Sequence, residues 1–154
     1  MSFMSSMTTS ATGMTAQQLR TDLISQNLAN VNTTRDENGE PYVRKVAVFA
    51  EKTNNSFGSV LNSALGAQGK GVKVVEIAED TSTDMKMVYD PSHPDADENG
   101  YVTYPNVDTV TEMTNMIDAS RSYEANVTAF NASKNMLHKT LEIGKYKIIF
   151  FIFS

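Results

Sequence analysis

Cysteine and tryptophan are both absent from the 154 residues of this chain. The lack of cysteine excludes disulfide bonds, thiolate nucleophiles and zinc sites with cysteine ligands. Histidine is scarce as well, and only His93 and His138 are available as bases that titrate near neutral pH. No GxSxG, HExxH or GxxxxGK[ST] motif occurs. The sequence therefore predicts no catalytic residues, no metal ligands and no cofactor. We expect that the protein is not an enzyme.

Basic residues are too few and too scattered for a nucleic-acid-binding protein. There are 13 lysines and arginines against 18 acidic residues, which gives a net charge of −5. A protein that binds nucleic acid needs a basic stripe to replace the counterions of the phosphates. We therefore expect neither nucleic acid nor a small-molecule substrate as a partner.

Long hydrophobic runs are also missing. The longest, residues 148–153, has six apolar residues, whereas a transmembrane helix needs roughly 20. Residues 1–15 are rich in Ser, Thr and Met and contain neither a basic residue nor a continuous apolar segment. The sequence thus predicts neither a membrane span nor a cleaved secretory signal peptide.

The first region, residues 1–32, is predicted to be a helix. Its apolar residues recur at helical spacing, but the row changes phase near Gly13, where a break or a late helix start is expected. Asn30 and Asn32 are residue types that end helices. The apolar row comprises Met4, Met7, Ala11 and Met14, followed by Ala16, Leu19, Leu23, Leu28 and Val31.

The middle region, residues 33–104, is predicted to contain strands and turns. Four β-prone runs cover residues 42–49, 72–77, 85–89 and 101–104. The Gly-, Ser- and Asn-rich segment at about 54–71 is expected to be a mobile loop. The tetrapeptide Asp-Glu-Asn-Gly occurs at 36–39 and again at 97–100, and we interpret it as the same turn chemistry used twice, not as an internal repeat.

The last region, residues 105–144, gives the clearest helix prediction. Pro105 suits a helix start, Asn106 or Asp108 can cap it, and Gly144 suits its end. Apolar residues follow a heptad pattern, with Met113, Val127 and Leu141 at the a positions. The d positions are Met116, Tyr123, Phe130 and Leu137. Residues 145–154 form an atypical apolar, β-prone tail.

Such a helix carries more apolar and small-residue surface than this chain can cover. About 36 helical residues extend ~54 Å, and the middle region is too small to cover both faces. Small residues that favour close approach form a second face: Ala119, Ala125, Ala129 and Ala132. We expect an α+β fold in which long N- and C-terminal helices pair as a coiled-coil-like bundle around a small β-containing insert. This surface predicts burial against further subunits.

The acidic loop allows an alternative, a calcium-responsive module. Asp95, Asp97, Asn99 and Gly100 match positions 1, 3, 5 and 6 of an EF-hand loop, but Asn106 at position 12 cannot supply the bidentate carboxylate. Asx and Asn-Gly turns explain the same residues without an ion. Whether residues 95–100 bind any ion is left open, and a calorimetric titration with calcium distinguishes the two interpretations.

Three segments resemble one known family. Residues 11–34, with the core Ser-Gln-Asn-Leu-Ala-Asn-Val-Asn-Thr at 25–33, resemble the N-terminal signature of flagellar rod and hook proteins. Residues 107–144 look like the C-terminal helix of these proteins, and residues 89–107 are similar to a segment of the short proximal-rod members. The alternative from a different class is a soluble helical adaptor that folds fully on its own.

The resemblance implies an axial protein of the flagellum. Such a protein is exported by the flagellar type III apparatus without a cleaved signal, and its terminal helices stack into the wall of a tube that crosses the periplasm and carries torque. The implied partners are other copies of the chain, the rod proteins FlgB, FlgF and FlgG, and the adaptor FliE.

We expect the subunit interface to lie on the two terminal helices. Asn27 and Asn30 have two interpretations, as surface and capping residues or as polar groups that fix the register between subunits. Glu112, Arg121 and Glu124 are expected on a solvated helix face or, if the chain assembles, in ion pairs between subunits. The predicted interface residues are Met14, Leu19, Leu23, Asn27, Leu28, Asn30, Asn32, Met113, Met116, Tyr123, Val127, Phe130, Leu137 and Leu141.

Overall fold

The computed structural model of the chain describes residues 3–36, 39–52 and 71–152. Helix α1 covers Phe3–Ala29 and helix α2 covers Thr109–Ile152, with four strands between them. The strands are β1 (Lys45–Glu51), β2 (Val72–Glu79), β3 (Lys86–Tyr89) and β4 (Tyr101–Tyr104). The predicted α+β class, with paired terminal helices and a small β insert, is confirmed. The predicted loop at about 54–71 lies, except for Gly71, outside the described residues.

Helix α1 continues through Gly13, so the predicted break there is wrong. A Cβ atom built at Gly13 would approach the Asn126 side-chain oxygen to 2.8 Å. The close approach of α2 therefore explains why position 13 is a glycine. A glycine inside a helix costs only ~1 kcal/mol of helix stability relative to alanine. The helix ends near Asn30 as predicted, where the Asn30 side-chain amide donates to the Gln26 carbonyl at 2.9 Å.

Strands β1 and β2 form one two-stranded sheet. Lys52 N–H donates to the Gly71 carbonyl and Asp80 N–H to the Arg44 carbonyl, both at 2.8 Å, so the strands run antiparallel. The sequence predicted that strand β1 begins at Tyr42, but the strand begins at Lys45. The reason is that Tyr42 N–H donates to the Thr33 carbonyl and Arg44 N–H donates to the Asn106 side chain, outside the sheet.

Strands β3 and β4 form a second antiparallel pair, with Met87 opposite Thr103 and Tyr89 opposite Tyr101. The segment between them contains the second Asp-Glu-Asn-Gly turn. Asp97 N–H donates to the Tyr101 carbonyl, and Gly100 N–H donates to the Asp97 carbonyl. The first copy repeats both bonds, from Asp36 N–H to the Glu40 carbonyl and from Gly39 N–H to the Asp36 carbonyl.

Helix α2 begins after one of its two predicted caps but ends later than predicted. It starts at Thr109, because Asp108 caps it by accepting a bond from Thr111 N–H at 2.8 Å. The predicted stop at Gly144 is wrong, and the helix continues to Ile152, so the backbone of residues 145–152 is helical and not extended. A glycine C-cap needs positive φ, and among the described residues only Gly39, Gly71 and Gly100 have it.

The chain divides into two compact units, and each helix contributes to both. One unit comprises residues 1–16, 50–73 and 122–154; the other comprises residues 17–49 and 74–121. In the first unit, Gly71 at φ +105° lies so close to Thr12 that an added Cβ would overlap the threonine hydroxyl. Val72 N–H donates to that hydroxyl at 3.2 Å. The second unit holds most of the buried side chains, including Val102 and Val107.

Candidate assembly surface and the polar cluster behind it

The exposed side of the first turns of α2 carries an apolar patch. Val110, Met113 and Ile117, which share a face by their i, i+3, i+7 spacing, are 72%, 54% and 54% exposed. Farther along the helix Met136, Leu141 and Ile143 are each more than half exposed. Exposed apolar patches of this kind are typical of surfaces that contact another molecule.

The predicted interface residues differ in burial. Leu23 and Asn27 are buried, whereas Asn32, Met113, Tyr123 and Leu141 are exposed. Their role in contacts between subunits stays a prediction. The remaining residues are partly buried: Met14, Leu19, Leu28, Asn30, Met116, Val127, Phe130 and Leu137.

The inward row of α2 consists of polar and small residues. Glu112, Ala119 and Ser133 are buried at heptad spacing, and the partly buried Asn126 completes the row. Glu112 has no exposed surface at all, so its predicted place on a solvated helix face is wrong. Arg121 and Glu124 are exposed as predicted. A buried carboxylate is costly unless charged and polar groups partner it.

Arg44, just before β1, supplies the opposite charge. Its Nε and Nη2 atoms both donate to Oε1 of Glu112, at 2.9 and 2.7 Å. Its Nη1 donates to the Asp80 carboxylate at 3.1 Å. Burial opposes the charge on Arg44, but the bonds to Glu112 and Asp80 outweigh it and raise the arginine pKa. One guanidinium thus joins α2 to the end of β2.

Asp80 is held ionised by its own turn. The hydroxyl and backbone N–H of Ser82 donate to Oδ1 at 2.6 and 3.0 Å, while Thr83 and Arg44 bond Oδ2. These bonds, with those from Ser82 the largest, hold the pKa of Asp80 far below its ordinary value. Asp80 is therefore charged at neutral pH and keeps Arg44 in place.

Asn27 on α1 completes the link between the two helices. Its amide nitrogen donates to Oε2 of Glu112 at 3.1 Å and to the Lys45 carbonyl at 2.9 Å. Its oxygen accepts bonds from the Tyr42 hydroxyl and from Lys45 N–H, both at 2.9 Å. Both donors and both lone pairs of the side chain are used within the chain. Asn27 thus fixes intramolecular geometry, an assignment that the sequence analysis did not make.

Asn106 plays a similar part on the opposite side of Arg44. Its oxygen accepts Arg44 N–H at 2.8 Å, and its nitrogen donates to the carbonyls of Asp80 and Thr83. We call Asn27, Arg44, Asp80, Asn106 and Glu112 the polar cluster. Burial raises the pKa of the adjacent Tyr42, and the negative charge of Glu112 raises it further.

The acidic loop is built from turns. Asp97 accepts bonds from the N–H groups of Asn99 and Tyr101, both at 2.8 Å. Asp95 accepts a bond from the Thr34 hydroxyl at 2.8 Å and pairs with Arg35 at 3.3 Å. The Asx-turn interpretation is confirmed. Within the described ranges, no group of three or more acidic or histidine side chains is arranged to hold a metal ion, and no helix is long and apolar enough to cross a membrane.

Comparison with known proteins identifies the family. Residues 7–35 match the family "Flagella basal body rod protein", and residues 98–143 match "Flagellar basal body rod FlgEFG protein C-terminal". The chain is 52% identical to the flagellar basal-body rod protein FlgC of Bacillus subtilis (strain 168), over 91% of this chain and 97% of the relative. The chain belongs to the FlgC family. The predicted resemblance to flagellar rod proteins is therefore confirmed.

Other FlgC proteins are similar over nearly the same length. FlgC of Borreliella burgdorferi is 46% identical over 93% of this chain and 98% of its own. FlgC of Salmonella typhimurium (strain LT2) is 40% identical over 86% and 90%. The chain is a structural component of the flagellar basal-body rod.

The matched segments divide the polar cluster of this FlgC-family chain. Asn27 lies in the N-terminal match, and Asn106 and Glu112 lie in the C-terminal match. Arg44 and Asp80 lie between the two matches. Sequence reasoning missed the cluster, because the atoms that meet at Glu112 come from residues up to 85 positions apart and no local spacing links them.

Proposed function

We propose that this chain is a subunit of the proximal rod that polymerises through its terminal helices. In this function it forms part of the drive shaft that transmits torque from the membrane ring to the hook, and part of the wall of the export channel. The subunit is exported without a cleaved signal peptide and works where the rod crosses the periplasm. It has no catalytic activity.

The outward apolar face of α2 is the observation that carries this proposal. Val110, Met113 and Ile117 present a contiguous apolar surface although the same helix buries a glutamate. Water opposes exposed apolar surface by roughly 25 cal/mol per Å², so the surface gains stability only when another subunit covers it. The proposed partners are further copies of the chain, FlgB, FlgF, FlgG and the adaptor FliE.

A charge placed on this face tests the proposal. Ile117→Glu puts a carboxylate on the surface to be covered, and burying it without a partner is costly. We expect the amount of this subunit in purified basal bodies to fall at least roughly tenfold, with loss of motility. The side chain is 54% exposed in the isolated chain, so helix content and thermal stability should not change.

Thr111→Glu is the matched control. Thr111 is exposed in the first turn of α2 but lies roughly 120° around the helix from Ile117, outside the apolar row, and the substitution adds the same charge. Normal basal bodies are expected. Equal incorporation of the Ile117→Glu and wild-type chains would contradict the proposal that this face is covered in the rod.

A further inference from the structure

In its first turns, residues 109–119, helix α2 does not bury the large apolar side chains that the hydrophobic effect alone would turn inward. An amphipathic helix normally turns its large apolar residues inward. In α2 the buried row begins with Glu112 and Ala119, and the large apolar residues of the adjoining faces, Val110, Met113 and Ile117, are outside. Some specific interaction must hold the helix in this rotation.

The polar cluster supplies that interaction at the first turns of α2. Glu112 is held from two sides, by Arg44 on Oε1 and by Asn27 on Oε2. Rotating α2 so that Met113 or Ile117 pointed inward would carry the carboxylate away from both partners. The buried Asn27 and the partly buried Arg44 would then lose their bonds to the carboxylate, which costs more than burial of the apolar side chains would gain.

Buried charge pairs are suited to this role because they select one arrangement and do not maximise stability. Replacing such a pair by apolar residues is often neutral or stabilising, whereas removing one partner is strongly destabilising. A single buried polar residue can fix the register of packed helices in the same way. The bonds from Arg20 to Asn115 at 3.4 Å and from Asn115 to Glu112 at 3.4 Å add weak support on the same side of α2.

We propose that Asn27, Arg44 and Glu112 form an orientation lock, which holds α2 with its apolar face outward before any partner arrives. The purpose of the lock rests on the proposed function, because it keeps the assembly surface presented. The lock itself is a property of the isolated chain and is tested there.

Cysteine labelling of the full-length chain measures the orientation. The chain has no cysteine of its own, so Ile117→Cys and Ala119→Cys each introduce one thiol, on the outward and the inward face. In the otherwise unchanged protein, the thiol at position 117 should react with a maleimide at least roughly tenfold faster than the thiol at position 119. Equal rates would overturn the lock. Asp118→Cys calibrates full reactivity, because Asp118 is exposed and lies about 100° around the helix from both Ile117 and Ala119.

The lock is then removed with Arg44→Met and Glu112→Leu together. These side chains keep approximate volume without charge, so the chain should stay helical while α2 turns its apolar face inward. The labelling rate at position 117 should fall severalfold and the rate at position 119 should rise. An unchanged ratio of the two rates in a helical double variant would overturn the proposal.

If the double variant unfolds, the three introduced thiols will react equally fast and the comparison is lost. Glu112→Gln is the second variant for that case. It keeps the size of Glu112 and removes its charge, and the rate at position 119 should rise severalfold; no rise would overturn the lock. Assembly is scored separately. A chain that labels as expected but does not enter basal bodies would contradict the proposed function and leave the lock standing.

Discussion

The two compact units hold their helices by different means. In the unit of residues 17–49 and 74–121, the contact between α1 and α2 is made by directed bonds of the polar cluster, centred on Glu112. In the other unit, the contacts depend on missing side chains, since Gly13 meets Asn126 and Gly71 meets Thr12 at distances that leave no room for a Cβ. In the first of these units, directed hydrogen bonds fix the rotation of α2 about its own axis. In the other, close backbone approach fixes the distance between the packed segments.

This comparison is most strongly tested at Glu112. Glu112→Ala takes the main partner from the partly buried Arg44, which keeps its bond to Asp80, and we expect the free energy of unfolding to fall by about 3 kcal/mol, the lower end of the range for a buried pair. Urea unfolding followed by circular dichroism measures the change. Glu124→Ala on the exposed side of α2 is the control, expected to stay within about 0.5 kcal/mol. Similar values for both variants would show that the cluster does not hold the unit.

The steric contact is tested at Gly71. Gly71→Ala places a Cβ against Thr12 at a positive φ, and strain of this kind costs about 1–3 kcal/mol before any overlap is counted. Gly39→Ala is matched in φ, at +87°, but has no atom within 4 Å, so it should lose only about 1 kcal/mol. Thermal unfolding compares the two. Equal losses would mean that φ alone matters and that the close approach to Thr12 does not.

The smallest effect is expected at the start of α2, where a single bond acts. The backbone N–H of Thr111 lowers the pKa of Asp108. A carboxylate with a lowered folded-state pKa adds stability above its ordinary pKa, near 3.9, and this stability is lost as the pH falls through the folded-state pKa. Asp108→Asn keeps a cap without a charge, so it should weaken the loss of stability below about pH 4.

Urea unfolding at pH 6 and at pH 3 measures that difference. Asp22→Asn, an exposed residue within α1, is the control and should leave the acid sensitivity unchanged. Identical pH profiles for the Asp108→Asn and wild-type chains would show that the cap charge does not contribute.

Local patterns predicted the local structure well. The heptad at Met113 predicted α2, and the β-prone run at 101–104 predicted β4 with its observed bounds. The Asn-Gly turns were predicted because Asp and Gly determine the turn through bonds within five residues. Errors occurred where a residue's environment is tertiary. Gly13 was interpreted as a break because Asn126 is invisible in the local sequence, and Glu112 as solvated because Arg44 is 68 positions away.

The exposure of the heptad rows of α2 was predicted only in part. The heptad assigned Met113 and Leu141 to the interface rows, and both are exposed. It did not show which row points into the chain, because helical spacing defines relative faces and not their absolute direction. That direction depends on Asn27 and Arg44, whose bonds become visible only after the chain has folded.

The two Asp-Glu-Asn-Gly turns make the same backbone bonds in different surroundings. Gly39 has open space around it, whereas an added Cβ at Gly100 would lie 3.0 Å from the Tyr89 ring. In both copies the aspartate side chain also accepts a bond from the N–H group four residues later, from Glu40 at 3.1 Å and from Tyr101 at 2.8 Å. The turn is therefore self-contained, since it closes in the same way with or without a packed neighbour.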